Sequence, residues 1–293
     1  LRNQTSKLSV EEVIKFWAEK SHLGQDPLSK IWCPDRPIWN IYTDNLHAHY
    51  LRPYISKLKP SDKVLDIGCG IGRFTFRFAK FCNKVYGIDT SKENIAFAKT
   101  TAQKEKITKI NFSVMDARNL KFVDGTFDYA FSVTCLQHIT DKMNLILAFK
   151  ELFRVTKKNG YIILLEDTSK IRKREPDVIS MPREEWFKII KRSGGRIEYW
   201  CGTDLPLLRK VAVTLPFKII CHFVTRKGWK IEGNAFDRDK KLFELYNNNS
   251  KRNKIIEHVV MMILVNLIKL FEYTIPKLWK NQSMYTVMII KKE

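Results

Sequence analysis

The segment that most constrains this chain is Val64-Leu65-Asp66-Ile67-Gly68-Cys69-Gly70-Ile71-Gly72, an apolar run that breaks into alternating glycines. Aliphatic and β-branched residues favour a buried strand. Glycines admit backbone conformations, and a close approach of backbone to ligand, that side chains forbid. The pattern predicts a strand ending in a tight turn that opens a helix, at the carboxyl edge of an α/β sheet where nucleotide-like ligands bind. The spacing narrows the ligand. A dinucleotide turn needs its third glycine at position 73, and Arg73 stands there. The run reads D-x-G-x-G-x-G instead, with Asp66 at the strand end. A carboxylate in that place repels a pyrophosphate and suits a ligand bearing ammonium and sulfonium charge.

The chain around this turn alternates strand-like and helix-like stretches, the pattern of a parallel sheet covered on both faces. Short runs rich in Val, Ile, Tyr and Phe predict strands at 63–67, 84–88, 109–114, 127–132, 160–165 and 196–200, with helices near 72–82, 91–105, 143–155 and 182–193. After an interruption at 203–282, residues 284–291 read as one more strand. Ahead of the sheet, Val10, Val13, Ile14 and Trp17 follow Ser9 at helical spacing, and Ser9 suits an N-cap. A second helix is expected to carry Tyr42, Leu46, His49 and Tyr50 and to stop at Pro53. Four regions follow: an N-terminal helical cap at 1–60, a core at 61–202, a helical insertion serving as a substrate lid at 203–282, and a final core strand at 283–293.

A length of 293 residues accommodates this plan, and 44% hydrophobic with 28% charged residues is the balance of a folded chain. The formal net charge of +21 points to anionic partners (nucleic acid, an acidic membrane surface, a phosphorylated or carboxylated substrate) or to lysines solvated on every face. The six cysteines, Cys33, Cys69, Cys82, Cys135, Cys201 and Cys221, form no C-x-x-C and have no His at ligand spacing. A reducing cytoplasmic location without a metal site is therefore expected. Glu11, Glu12 and Lys15 interrupt the first twenty residues, which leaves no apolar signal core there. Residues 255–271 are strongly apolar, but Glu257, His258, Asn266 and Lys269 interrupt them. They fit a buried or lid helix, with peripheral membrane contact through an interfacial helix, or a transmembrane span, as the alternatives.

Taken in order, these pieces closely resemble class I S-adenosylmethionine-dependent methyltransferases of the small-molecule, type 11-like kind. Asp66 to Gly72 resembles the first signature of that family. Val85-Tyr86-Gly87-Ile88-Asp89 resembles its second strand, whose terminal acid accepts the ribose hydroxyls. Ser113-Val114-Met115-Asp116-Ala117 resembles its third strand end, whose aspartate accepts from the adenine amino group. Phe127 to Ser132 resembles the fourth strand, followed by Leu136-Gln137-His138-Ile139 beside the methionine part. Leu152 to Val155 and Gly160 to Ile163 resemble the next helix and fifth strand, joined by a turn, Lys157-Lys158-Asn159-Gly160, that lacks the usual Pro and first Gly. The resemblance implies a Rossmann-like, doubly wound, mostly parallel seven-stranded sheet with its last strand antiparallel. It implies S-adenosyl-L-methionine as cofactor, S-adenosyl-L-homocysteine as product, and a binding set of Asp66, Gly68, Cys69, Gly70, Gly72, Asp89, Thr90, Met115, Asp116, Ala117 and Thr134.

The acceptor is less legible, because methyl transfer asks mainly for alignment and exclusion of water. The fourth strand ends in Ser132-Val133-Thr134-Cys135. It has neither the Asn/Asp-Pro-Pro-aromatic run of exocyclic-nitrogen enzymes nor the Pro-Cys pair of cytosine C5 enzymes. His138 is the candidate general base, since imidazole exchanges protons near neutrality. The alternative is a structural histidine bonded near the cofactor. His47, His49, Trp32, Trp39, Tyr42 and Tyr50 are candidates to close over the donor, or else to pack. The run Lys170-Ile171-Arg172-Lys173-Arg174 either grips an acidic acceptor or is a solvated loop. Two acceptor classes remain: a small molecule or lipid-like compound methylated on O or N, favoured because the insertion is apolar, and RNA, as in a tRNA methyltransferase, bound through the basic surface.

Overall fold

The computed structural model describes residues 8–21, 37–168, 178–179, 181–203 and 285–292. Two helices, α1 (Val10–Ser21) and α2 (Pro37–Ile55), come first. They are followed by β1 (Lys63–Ile67), α3 (Thr75–Phe78), β2 (Lys84–Asp89), α4 (Lys92–Lys104), β3 (Ile110–Val114) and β4 (Phe127–Val133). A 3-10 turn at Leu136–His138, α5 (Lys142–Val155), β5 (Thr156–Asp167), α6 (Arg183–Arg192), β6 (Gly195–Thr203) and β7 (Tyr285–Lys292) complete the order.

The strands form one seven-stranded sheet in the order β3-β2-β1-β4-β5-β7-β6. β1 pairs parallel with β2 and β4, β2 with β3, and β4 with β5, while β7 runs antiparallel to both β5 and β6. Side chains alternate between the faces as the two-residue strand period requires. Leu65, Ile67, Ile162, Leu164, Met288 and Ile290 enter the core under α5 and α6. Val64, Phe131, Ile163, Leu165, Val287 and Ile289 enter the core with α2 and α3. The expected doubly wound sheet is therefore present, last strand reversed. The chain builds outward from β1 to β3 and then returns to β4 beside β1. That reversal opens a crevice at the carboxyl ends of β1 and β4.

Local chemistry explains the starts of α1 and α4. Ser9 and Glu12 form a reciprocal capping box on α1: the Glu12 N–H donates to Ser9 Oγ at 3.2 Å and the Ser9 N–H to Glu12 Oε2 at 2.6 Å. Ser91 caps α4, accepting from the Asn94 N–H at 3.1 Å, which leaves the nearby Asp89 for other work. Three expectations change. The helix expected near 72–82 contracts to Thr75–Phe78, because the glycine turn is wider than its spacing suggested. α2 runs through Pro53 to Ile55, since burying Leu51 and Ile55 in the core outweighs the hydrogen bond that proline cannot make. The turn at Lys157 to Gly160 is absorbed into β5 as an irregularity: Thr156 pairs with Phe127 and Tyr161 with Tyr129, so 157–160 lie between two ladder contacts. The insertion expected at 203–282, with its apolar stretch at 255–271, lies outside the described residues apart from Thr203.

Candidate functional site: a cleft at the sheet's carboxyl rim

One cleft opens where the topology reverses, and it draws together residues from the ends of β1, β2, β3 and β4. Asp66, Gly68, Cys69 and Gly70 come from the first strand and its turn, and Asp89 and Thr90 from the second. Met115, Asp116 and Ala117 come from the third, Thr134 from the fourth, and His138 from the 3-10 turn beyond it. Gly72, expected among them, does not line the cleft. Its φ is +87°, and a Cβ there would come within 2.7 Å of the Phe76 ring and 2.9 Å of Phe112, so it serves the packing under the turn. Gly68, with φ +63°, faces the opposite demand. A Cβ on it would run into the side chain of Cys135, so this glycine lets the β1 turn and the loop after β4 touch.

The three rim acids have different surroundings. Asp89 accepts the Gly70 N–H on Oδ2 at 2.9 Å and the Ser91 N–H on Oδ1 at 2.8 Å. Each oxygen keeps a further lone pair, which suits a ligand offering two hydroxyls. Burial raises the Asp89 pKa, against the pull of the Ser91 and Gly70 amides. Asp66 is 2% exposed and accepts the Thr75 hydroxyl at 2.6 Å. Burial pushes its pKa up to about 7, opposed by that hydrogen bond. Asp116 is clamped by its near neighbour Arg118, whose Nη2 and Nε reach it at 2.6 and 3.0 Å and whose backbone N–H donates at 2.8 Å. Burial would raise this carboxyl's pKa, but the Arg118 hydrogen bonds and charge outweigh it and hold it low. Arg118 thus shares the carboxylate that the resemblance assigns to an adenine amino group, and it lines the same cleft.

Further groups were not singled out from the sequence. Asn94, on the first turn of α4, lines the cleft and is 3% exposed, and its Oδ1 has no hydrogen-bond partner among the described residues. Trp17, read only as part of an apolar helix face, stands with Val13 and Ile14 in the wall that α1 lays across the cleft. Its ring meets the His138 ring edge-on at a centroid distance of 4.8 Å. The Thr140 hydroxyl donates to the Leu8 carbonyl at 3.0 Å and ties the approach to α1 to the same loop. Of the N-terminal rings expected to close over the donor or else to pack, His47, His49 and Tyr50 pack away from the cleft. His47 is buried, edge-on to Tyr285 at 5.3 Å, and burial holds its pKa well below the usual imidazole range, helped by the nearby Arg73 charge. His49 packs against Tyr50. Trp32, the side chains of Trp39 and Tyr42, and the run Lys170 to Arg174 lie outside the described residues. On α2, Asp44 receives Arg73 at 2.9 Å and Arg77 at 2.6 Å, pinning that helix beneath the glycine turn.

The loop after β4 has an unusual backbone. Thr134 sits at φ +54°, a left-handed conformation that a β-branched residue rarely adopts, and its N–H donates to the Leu165 carbonyl at 2.8 Å. Among the described residues, no three His, Cys, Asp or Glu side chains group to hold a metal ion, and no helix is long and apolar enough to cross a membrane.

A doubly wound sheet with acids gathered at the carboxyl ends of three successive strands is the architecture of α/β domains that take nucleotide-like ligands. Comparison with known proteins narrows that class. Residues 65–164 match the family described as a methyltransferase domain. Phosphoethanolamine N-methyltransferase 2 of Caenorhabditis elegans is 36% identical over 107 residues, covering 36% of this chain and 24% of that protein. Ajmaline N-methyltransferase of Rauvolfia serpentina is 30% identical over 164 residues, 55% of this chain and 53% of the relative. The chain thus spans between about a quarter and a half of the length of these curated relatives. The Haemonchus contortus phosphoethanolamine N-methyltransferase 2, solved with S-adenosyl-L-methionine, shares the fold at a TM-score of 0.55 and 20% identity, over 84% of this chain and 52% of that one. Residues 65–164 of this chain are a class I S-adenosylmethionine-dependent methyltransferase domain.

Proposed function

We propose that this chain transfers a methyl group from S-adenosyl-L-methionine to an oxygen or nitrogen atom of a small-molecule or lipid-like acceptor. The observation that carries the reading is convergence: residues from four strand ends, with His138, face one cleft that α1 closes. The groups present fit the cofactor. Asp89 retains two acceptor positions for a ribose diol, and Asn94 brings a buried oxygen that needs a donor. Asp66 lines the same cleft, and a ligand bearing ammonium and sulfonium charge favours its ionised form against the burial that raises its pKa.

When bound, S-adenosyl-L-methionine supplies a methyl carbon made electrophilic by a positively charged leaving sulfur. The rest falls to the chain. The glycine turn offers backbone amides without side-chain bulk, while Met115 and Ala117 provide apolar walls. Val13, Ile14 and Trp17 keep water from the cleft. His138 accepts the proton that an acceptor hydroxyl or ammonium must lose for its lone pair to attack. Amines are the first acceptors to try, because the two named relatives are N-methyltransferases of phosphoethanolamine and ajmaline. The net charge of +21 favours those that carry phosphate. A cytoplasmic location, with membrane contact through 255–271, stays part of this proposal.

The test is formation of S-adenosyl-L-homocysteine by the full chain with labelled S-adenosyl-L-methionine and, in separate reactions, phosphoethanolamine, apolar tertiary amines, hydroquinones and total tRNA. Label in a small-molecule product supports the reading. Label in tRNA alone overturns it in favour of an RNA acceptor.

A further inference from the structure

Behind the cleft, and not lining it, lies a carboxylate with no part in the steps above. Glu166, near the end of β5, is 0% exposed. Its Oε1 accepts the Ser132 hydroxyl at 2.7 Å and the backbone N–H groups of Leu136 and Cys135 at 3.2 and 3.4 Å, and its Oε2 accepts the Gln137 N–H at 3.2 Å. All four partners approach as donors. Three are successive amides at the start of the 3-10 turn that carries His138, the arrangement in which backbone N–H groups form a concave anion site. A protonated acid or a glutamine side chain would turn a donor toward one of those amides. Burial pushes the Glu166 pKa up to about 7 against the pull of these four donors, so its charged form depends on the hydrogen bonds of this loop.

The same loop contains the strained Thr134, fixed from the other side by its bond to Leu165. Gln137 continues the clamp: its Oε1 accepts the Asp167 N–H at 2.8 Å, and its Nε2 lies 3.5 Å from His138 Nε2. Left-handed backbone at a β-branched residue persists only where its surroundings over-determine it. Here those surroundings are the end of β5.

We infer that Glu166 is the positioning residue of the acceptor side. Its carboxylate gathers the amides of Cys135, Leu136 and Gln137, holds Thr134 in its left-handed conformation, and aims His138 across the cleft at the acceptor. What the loop is aimed at rests on the proposed methyltransferase reading; that Glu166 holds it does not.

The experiment compares the full wild-type chain with Glu166→Gln by amide hydrogen exchange and by NMR of the labelled imidazoles, with His138→Gln used to assign the His138 signals. Glu166→Gln is expected to speed exchange at Cys135, Leu136 and Gln137 at least tenfold and to leave β1 and β2 protected. It is also expected to shift or broaden the His138 signals in the folded protein, a change that a contribution to stability alone does not produce. Ser132→Ala, which removes one of the four donors and spares the carboxylate, is expected to speed the same amides a few fold, and it keeps the test open if Glu166→Gln does not fold. Wild-type exchange and imidazole signals in the folded variants overturn the inference. Neither readout needs cofactor, so failure of S-adenosyl-L-homocysteine to bind the wild type would sink the methyltransferase reading and leave the Glu166 result standing.

Discussion

On the β1–β3 side of the cleft, each acid is held by a near neighbour in sequence, and Asp89 also by the Gly70 N–H across the β1–β2 pairing. Asp89 is fixed by Ser91 and by the Gly70 turn, Asp66 by Thr75, and Asp116 by Arg118. On the β4–β5 side, Thr134 and His138 depend on Glu166, Leu165 and Asp167, some thirty residues further along the chain. The first side is rigid by local chemistry. The second is rigid only because two neighbouring strands are in register. Under the proposed function, the first side grips the cofactor, and the second sets Thr134 beside it and carries His138 toward the acceptor.

Variants on the two sides should therefore separate cofactor binding from turnover. The largest effect is expected at the seam between them. Gly68→Val forces a branched side chain into Cys135 at positive φ, and it should abolish S-adenosyl-L-homocysteine binding and lower the melting temperature by many degrees, read by calorimetry and thermal melting. His138→Gln comes next. Turnover on whichever acceptor is methylated should fall about 10²- to 10⁴-fold, while cofactor affinity stays within about twofold. Wild-type turnover would remove His138 as base.

Asp89→Ala should act the other way, weakening S-adenosyl-L-homocysteine binding by roughly 1–3 kcal/mol, with acceptor preference unchanged. An unchanged calorimetric affinity would take Asp89 out of the site.

Asp66→Asn tests the buried acid without ligand. A carboxyl pushed up to about 7 when folded takes up protons on folding, so its stabilising share is full below its unfolded value of 3.8 and is lost as pH rises through about 7. The stability of wild type relative to Asp66→Asn should thus fall, by roughly 3–4 kcal/mol, between about pH 4 and pH 7.5 in urea melts. A gap that does not change with pH would show that Asp66 ionises normally. Ser9→Ala is the smallest change. Losing the α1 cap should cost about 0.5–1 kcal/mol, visible mainly as faster exchange in α1.

The same division explains what the sequence revealed. The glycine turn and the acids at 66, 89 and 116 follow from short-range demands, positive φ and strand-end carboxylates, so they stand out as motifs. The parallel sheet followed from the alternation of elements, its reversed last strand from the family resemblance, and the Ser9 cap from residue type. Glu166 was invisible because a buried glutamate in an apolar strand carries no local pattern, and its partners appear only when β4 and β5 pair. Trp17 was legible as a helix residue, but its place over the cleft depends on how α1 lies across the sheet. Gly72 was assigned to the ligand because spacing cannot tell a glycine that yields to a ligand from one that yields to Phe76 and Phe112. Arg118, two residues from Asp116, was overlooked although the pair is local, because a basic residue in a lysine-rich chain attracts no notice.

Calorimetric titration of the full wild-type chain with S-adenosyl-L-homocysteine decides whether the rim of β1, β2 and β3 holds S-adenosyl-L-methionine. Saturable binding of one ligand per chain is expected, with a matching rise in melting temperature. A titration showing neither heat nor thermal stabilisation at millimolar ligand would contradict that assignment.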